Sequence, residues 1–291
     1  MGNIIHMSTR TADFTNSKDS EIYFPVSLRD FEVPFSDATG EPVMASAERF
    51  KAVVREDTGK VLAVHRSTYN LVHNEEIYPQ FEEALRRSKL DLTDMYTSIA
   101  VNDDGASVVK SYHFPAHKVA ISKGDEVDMV LRVRNSYDGR WAFGTVLGGY
   151  RLICSNGMVI GKQFSSSYGK HTRNLNVSTS VDKLNAAIDV YKEHQSMWEL
   201  WSSKTVTDMA IRQMIDNDLN LPDAFKRELY TLYLNEKSNG IKNLWALFNA
   251  LTCWSTHGKM ACGGQRSVTQ DNREKRVRDI INSKAWKGLA A

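Results

Sequence analysis

At 291 residues, 42% of them hydrophobic and 25% charged, the chain has an ordinary globular composition and enough apolar material for a substantial core, in one large domain or two. It has no run of about 18 apolar residues and no apolar N-terminal h-region, which excludes a transmembrane helix and a secretory signal and points to the cytoplasm. The formal net charge of +2 conceals a segregation: residues 1–104 hold 11 Lys/Arg against 18 Asp/Glu, residues 105–175 hold 10 against 4, and residues 176–291 hold 16 against 13.

Residues 1–34 are rich in Ser, Thr, Asn and Asp without sustained periodicity, and are expected to form an irregular arm. Residues 35–177 read as a β-rich domain. Its first hairpin joins Phe50–Arg55 to Lys60–Val64 across Asp57-Thr58-Gly59. A helix follows, capped by Asn74 and running to about Ser88, with Glu75 and Glu76 in its first turn and Arg86, Arg87 and Lys89 near its end. Pro79 fits best in a first turn, so the regular part is expected to start a few residues after Asn74. Further strands are expected at Met95–Val101, Val108–Phe114 and Val127–Asn135, with Asn102-Asp103-Asp104-Gly105 turning between the first two. From residue 178 onward the pattern is helical, with helices near 179–201, 205–217, 223–236, 241–256 and 271–283. The fold class is α+β: a mostly antiparallel sheet with a central long hairpin and one early helix, then a helical region at 178–291.

The most informative stretch is Asp128 to Cys154. Asp138-Gly139 favours a tight two-residue type I′ turn, which needs φ > 0 at both central positions. Side chains alternate across a strand, so one face of that hairpin carries Arg132, Arg134, Ser136, Trp141, Phe143 and Thr145, and the other carries Leu131, Val133, Ala142, Gly144 and Val146. The second face is small and apolar. The first mixes guanidinium groups with aromatic rings, the chemistry that grips a phosphate backbone and stacks bases. Arg140 points to the opposite face near the tip, Arg151 follows on the next strand, and Lys162, Tyr168, Lys170, His171 and Arg173 lie in a basic loop after it. The competing reading puts Trp141 and Phe143 in a core with the arginines snorkelling from an edge.

Other chemistries fail on spacing. Gly144-x-x-x-Gly148-Gly149 is not a dinucleotide fingerprint, and Gly169-Lys170 is followed by His171 where a P-loop needs Ser or Thr. No nucleophile elbow and no H-E-x-x-H motif occurs. Three cysteines are too few and too scattered for a disulfide framework. Cys253-x3-His257-x4-Cys262 offers thiolates and an imidazole but matches no common zinc spacing, and Cys154 with His171 as a base is outweighed by burial of the thiol in an apolar run. No catalytic set, metal or cofactor is assigned.

The segments Tyr69-Asn70-Leu71-Val72-His73-Asn74-Glu75-Glu76, Asn135-Ser136-Tyr137-Asp138-Gly139, Arg151-Leu152-Ile153-Cys154-Ser155-Asn156-Gly157 and His171-Thr172 resemble the phage/plasmid-like protein family (domain of unknown function 932). The resemblance resumes at Asn249-Ala250-Leu251-Thr252 and His257 and covers roughly residues 50–285. Tyr137 stands where that family's pattern has His, and Gly157 where it has Thr. The resemblance implies a phage or mobile-element setting, and the order of elements is similar to that of ring-forming single-strand annealing proteins.

Together these readings give the expectation of a cytoplasmic DNA-metabolism protein that binds single-stranded DNA and promotes annealing in recombination or replication, without membrane contact. Arg132, Arg134, Arg140, Arg151, Lys162, Lys170, His171 and Arg173 would meet the backbone, and Trp141, Phe143 and Tyr168 the bases. Self-association is expected, the acidic front of one subunit meeting the basic middle of another. The alternative is a host-takeover or assembly protein that grips a protein partner through the hairpin.

Overall fold

Period-two alternation begins earlier than the polar composition of the first 34 residues implies. The computed structural model describes residues 14, 16–122, 125–140, 143–151, 156–158, 180–238, 243–258 and 266–291. In it Ile22, Phe24 and Val26 are buried. Strand β1 (Val26–Arg29) pairs antiparallel with β4 (Phe50–Arg55), which pairs in turn with β5 (Lys60–Arg66). The expected irregular arm is therefore, from Ile22 on, part of the folded protein. Apolar residues at alternate positions lay one face of β1 on the core, where Phe24, Val26, Val53 and Tyr137 form a cluster. Between β1 and β4 the chain makes a separate ribbon, β2 (Glu32–Ser36) with β3 (Pro42–Ser46), which pairs with no other strand among the described residues.

Helix α1 spans Asn74–Arg87, with His73 in the capping position. Asn74 does not cap it. Its side chain donates to the Ile22 carbonyl at 3.1 Å and accepts from Asn135 Nδ2 at 2.9 Å, so the amide is committed to the rest of the fold. Pro79 lies inside the helix, which begins at Asn74 rather than later. The acidic first turn and basic last turn complement the helix dipole as expected.

Five strands follow in sheet order β10-β9-β8-β7-β6: β6 (Tyr96–Asn102), β7 (Ser107–Ser122), β8 (Asp125–Ser136), β9 (Gly144–Arg151) and β10 (Asn156–Met158). Strand β7 runs well past its expected end at Phe114. Strand β8 ends at Ser136 and β9 begins at Gly144, so the expected two-residue turn at Asp138-Gly139 does not join strands that reach it on both sides. Within it Gly139 has φ +70° and Asp138 does not have a positive φ, so a type I′ turn is not formed. A Cβ at Gly139 would come within 2.8 Å of the His65 ring, so glycine is needed there for space as well as for conformation.

The chain divides into two units: Met1–Ala116 with Arg132–Thr145 and Ser165–Asn185, and His117–Leu131 with Val146–Phe164 and Ala186–Ala291. The division is interleaved, whereas the sequence reading places one boundary near residue 177. Helix α2 (Ser180–Ser203) begins in the first unit and continues in the second from Ala186, and α3 (Asp208–Gln213), α4 (Asp223–Ser238), α5 (Leu244–His257), α6 (Arg266–Ile281) and α7 (Lys284–Ala290) of the second unit follow the expected helical pattern. Thr207, Asn243 and Ser283 cap α3, α5 and α7 with side-chain oxygens. Helix α5 is apolar nearly all round and is buried from Leu244 to Thr252. Around it Trp198, Trp201, Trp245, Phe248 and Trp286 stack edge-on or tilted with ring centres 5.0–6.5 Å apart. Trp245 Nε1 donates to Asp125 Oδ2 at 2.9 Å and Tyr191 Oη to the Val127 carbonyl at 3.3 Å, which ties the helices to the start of β8. Among the described residues no helix is long and apolar enough to cross a membrane.

Candidate nucleic-acid interface

Alternation sorts the first unit's part of the five-stranded sheet into two faces with opposite character. Val108, Lys110, Tyr112 and Phe114 on β7 are all buried. They lie on the α1 side: the Phe81 ring sits 5.4 Å from that of Tyr112, and Tyr112 Oη donates to Glu82 Oε1 at 3.0 Å. Lys110, 1% exposed, is held at 3.0 Å by Glu82 and at 3.1 Å by Asp19. Burial pushes its ammonium pKa down, but the Glu82 carboxylate outweighs that and the net shift is upward. Lys110 therefore belongs to a buried ion network and adds nothing to a basic surface.

The opposite face is exposed at its edge strand, where Tyr96, Ser98 and Ala100 face solvent, while Ser111 is half-buried and His113 is 6% exposed. Antiparallel register sets Tyr96 directly across from His113, Ser98 from Ser111, and Ala100 from Val109. The Tyr96 ring, 44% exposed on the edge strand β6, stacks on the His113 imidazole with centres 4.4 Å apart and planes within 6°. Ser98 Oγ and His113 Nε2 are 3.0 Å apart. Burial, with a further push from the Arg132 guanidinium, lowers the His113 pKa to about 4, so the imidazole is neutral near pH 7. The result is a flat, uncharged two-ring stack with an arginine beside it. Arg132 and Arg134 on β8 are half-buried, while Leu131 and Val133, in alternation with them, are buried. The expected alternation of Arg132 and Arg134 with Leu131 and Val133 is thus present, whereas Ser136, expected on the arginine face, is buried.

Other expected contacts are placed differently. Phe143 is 1% exposed, so it is a core ring and has no face for a base to stack on, which corrects the base-stacking role expected of it. Arg140 is turned back on Asp138 and Ser107: its Nη2 meets Asp138 Oδ2 at 2.9 Å and its Nη1 donates to Ser107 Oγ at 3.4 Å. It braces the turn rather than presenting a charge to a ligand. Trp141, Lys162, Tyr168, Lys170, His171 and Arg173 lie outside the described residues, as does the side chain of Arg151.

Tyr96 and His113 are missed by the sequence reading: counting outward from the expected turn Asn102-Asp103-Asp104-Gly105 pairs Tyr96 with Ser111, whereas the observed register sets it two residues further along β7, at His113.

Two of the segments that carry the family resemblance, Tyr69–Glu76 and Asn135–Gly139, meet in the first unit and satisfy one another. Asn135 Nδ2 donates to the Val72 carbonyl at 3.2 Å and to Asn74 Oδ1 at 2.9 Å. Tyr137 Oη accepts from the Asn74 amide at 3.1 Å, and the Tyr137 carbonyl lies 2.7 Å from His65 Nε2. Tyr137 is 1% exposed, and burial raises its pKa to about 12. These groups have the marks of a structural lock between α1 and the end of β8, not of a reacting centre. Cys253 and His257 share α5, while Cys262, Cys154 and His171 lie outside the described residues. Among the described residues no three His, Cys, Asp or Glu side chains gather as metal ligands would.

Comparison with known proteins gives one match. No curated protein and no solved structure matches the chain. A family model described as "Domain of unknown function (DUF932)" matches residues 61–281.

Proposed function

This chain belongs to the family described as a domain of unknown function (DUF932), and from that premise we propose that it is a phage or mobile-element protein that binds single-stranded DNA on the open face of the five-stranded sheet. Bound strands on a self-associating protein would then be brought together for annealing in recombination or replication, in the host cytoplasm. No catalytic step is assigned to it.

The observation that carries this reading is the Tyr96–His113 stack beside Arg132. A base can continue the stack on the exposed ring of Tyr96, a contact worth about 1–3 kcal/mol that tolerates any base. Neutral His113 adds ring surface and no charge, so the electrostatic attraction rests with the arginines. Arg132 and Arg134 are two residues apart on one strand, about 6.6 Å along it, close to the spacing of successive phosphates in an extended single strand. Bases of a duplex are stacked on one another and cannot reach an aromatic platform, so the site favours single strands.

The test is fluorescence anisotropy of a labelled oligonucleotide, single-stranded and duplex, followed by an assay for pairing of complementary strands. Binding that prefers single strands and weakens with salt supports the reading. Equal affinity for both forms, or no binding at low salt, contradicts it.

A further inference from the structure

Among the described residues, none of the first unit covers the ribbon formed by β2 and β3. Every residue of both strands is exposed, including Val33 at 50%, Phe35 at 48% and Met44 at 54%. Register places Val33 across from Ala45 and Phe35 across from Val43, so these four side chains share one face. The ribbon is nonetheless built to keep one shape. Asp37 Oδ1 accepts from Thr39 Oγ1 at 2.6 Å, from the Thr39 amide at 2.8 Å and from the Glu41 amide at 3.1 Å, while Gly40 takes φ +86° at the tip. An isolated two-stranded hairpin is marginal in water, and an ordered one with a bare apolar face gains stability from a surface to lie on.

Charge identifies that surface. Residues 30–48 contain Asp30, Glu32, Asp37, Glu41 and Glu48 and no Lys or Arg. Such a ribbon is repelled by nucleic acid and by a second copy of itself. The remainder of the chain from residue 105 has 26 Lys/Arg against 17 Asp/Glu, opposite in sign to the ribbon. We propose that the β2–β3 ribbon is the self-association arm of this protein, docking its Val33, Phe35, Val43 and Ala45 face on the basic 105–291 portion of a second copy. Because ribbon meets non-ribbon, the contact either closes reciprocally, each ribbon on the other copy, as a two-fold dimer, or repeats head-to-tail into rings or filaments. This deepens the proposal of a self-associating DNA-binding protein but does not depend on DNA binding, since the assembly is assayed without DNA.

The experiment compares wild-type protein with Phe35→Asp/Val43→Asp by sedimentation velocity across protein concentration, with circular dichroism to confirm an unchanged fold. Both positions are exposed, so folding is expected to survive. Wild type should form dimers or larger species, and the double variant should need at least about tenfold more protein to reach the same assembly. A photo-crosslinking residue at Phe35 should capture a peptide from residues 105–291 of another copy. A monomeric wild type, a double variant that assembles as wild type does, or a crosslink from ribbon to ribbon would each overturn the proposal. Measuring oligonucleotide binding on the same two proteins separates this outcome from that of the DNA-binding reading.

Discussion

The two faces of the sheet in the first unit are made by the same strands and differ at every alternate residue. On β7, Lys110, Tyr112 and Phe114 disappear beneath α1, and even the lysine is locked between carboxylates. One residue out of phase, Ser111 and His113 join the Tyr96 ring on a side where Tyr96, Ser98 and Ala100 of β6 remain exposed. A cation thus means different things on the two faces. Lys110 is a structural member of a buried network, whereas Arg132 stands beside an exposed ring stack. Counting charges along the chain weighs both alike, and only the strand phase separates them.

That contrast can be broken by substitution, with the largest effect on the sealed side. Lys110→Met removes one partner of a buried pair and leaves Glu82 and Asp19 without their cation, so urea denaturation should show a loss of about 3–5 kcal/mol. A loss below about 1 kcal/mol would mean that the network is wet. The next effect is a pH dependence on the open side. The His113 pKa of about 4 lies below the ordinary value of 6.5, so the unfolded chain binds a proton that the folded chain refuses. Stability present above pH 6.5 should therefore fall as the pH drops toward 4, by roughly 2–3 kcal/mol from this one group. His113→Phe should remove that part of the acid sensitivity, as read from denaturation midpoints at the two pH values.

A smaller effect sharpens the comparison. Tyr96→Ala should weaken single-strand affinity by about 1–3 kcal/mol. It should cost less than about 1 kcal/mol of stability, the scale of one cross-strand pair. The matching change beneath α1, Tyr112→Ala, should do the reverse, lowering the thermal midpoint steeply because a buried ring and its Glu82 hydrogen bond are lost.

Much of this arrangement is legible in the sequence. The alternation of Leu131, Arg132, Val133 and Arg134 predicts which side of β8 is buried, and the turn at Asp103 to Gly105 locates the β6–β7 hairpin. The tip of the central hairpin is not legible, because long-range contacts override its local turn chemistry. Tyr137 is drawn inward by the Ala106 carbonyl at 2.7 Å, the Asn74 amide and His65. The first 34 residues mislead because the buried Ile22, Phe24 and Val26 form a short run, interrupted by Pro25, after a stretch rich in Ser, Thr, Asn and Asp. Stacking of Tyr96 on His113 is not legible either, because the β6–β7 register is shifted by two residues from the one that the expected turn at Asn102–Gly105 gives.

The central claim is that the open face holds a single strand through its arginines and its ring stack. Its most direct test is the salt dependence of single-strand affinity for wild type and for Arg132→Ala/Arg134→Ala. If the two guanidinium groups each neutralise a phosphate, the slope of log affinity against log salt should fall in magnitude by about 1.4, roughly 0.7 per phosphate on a single strand. An unchanged slope, with the double variant still folded, would contradict the claim and move the DNA contacts off this face.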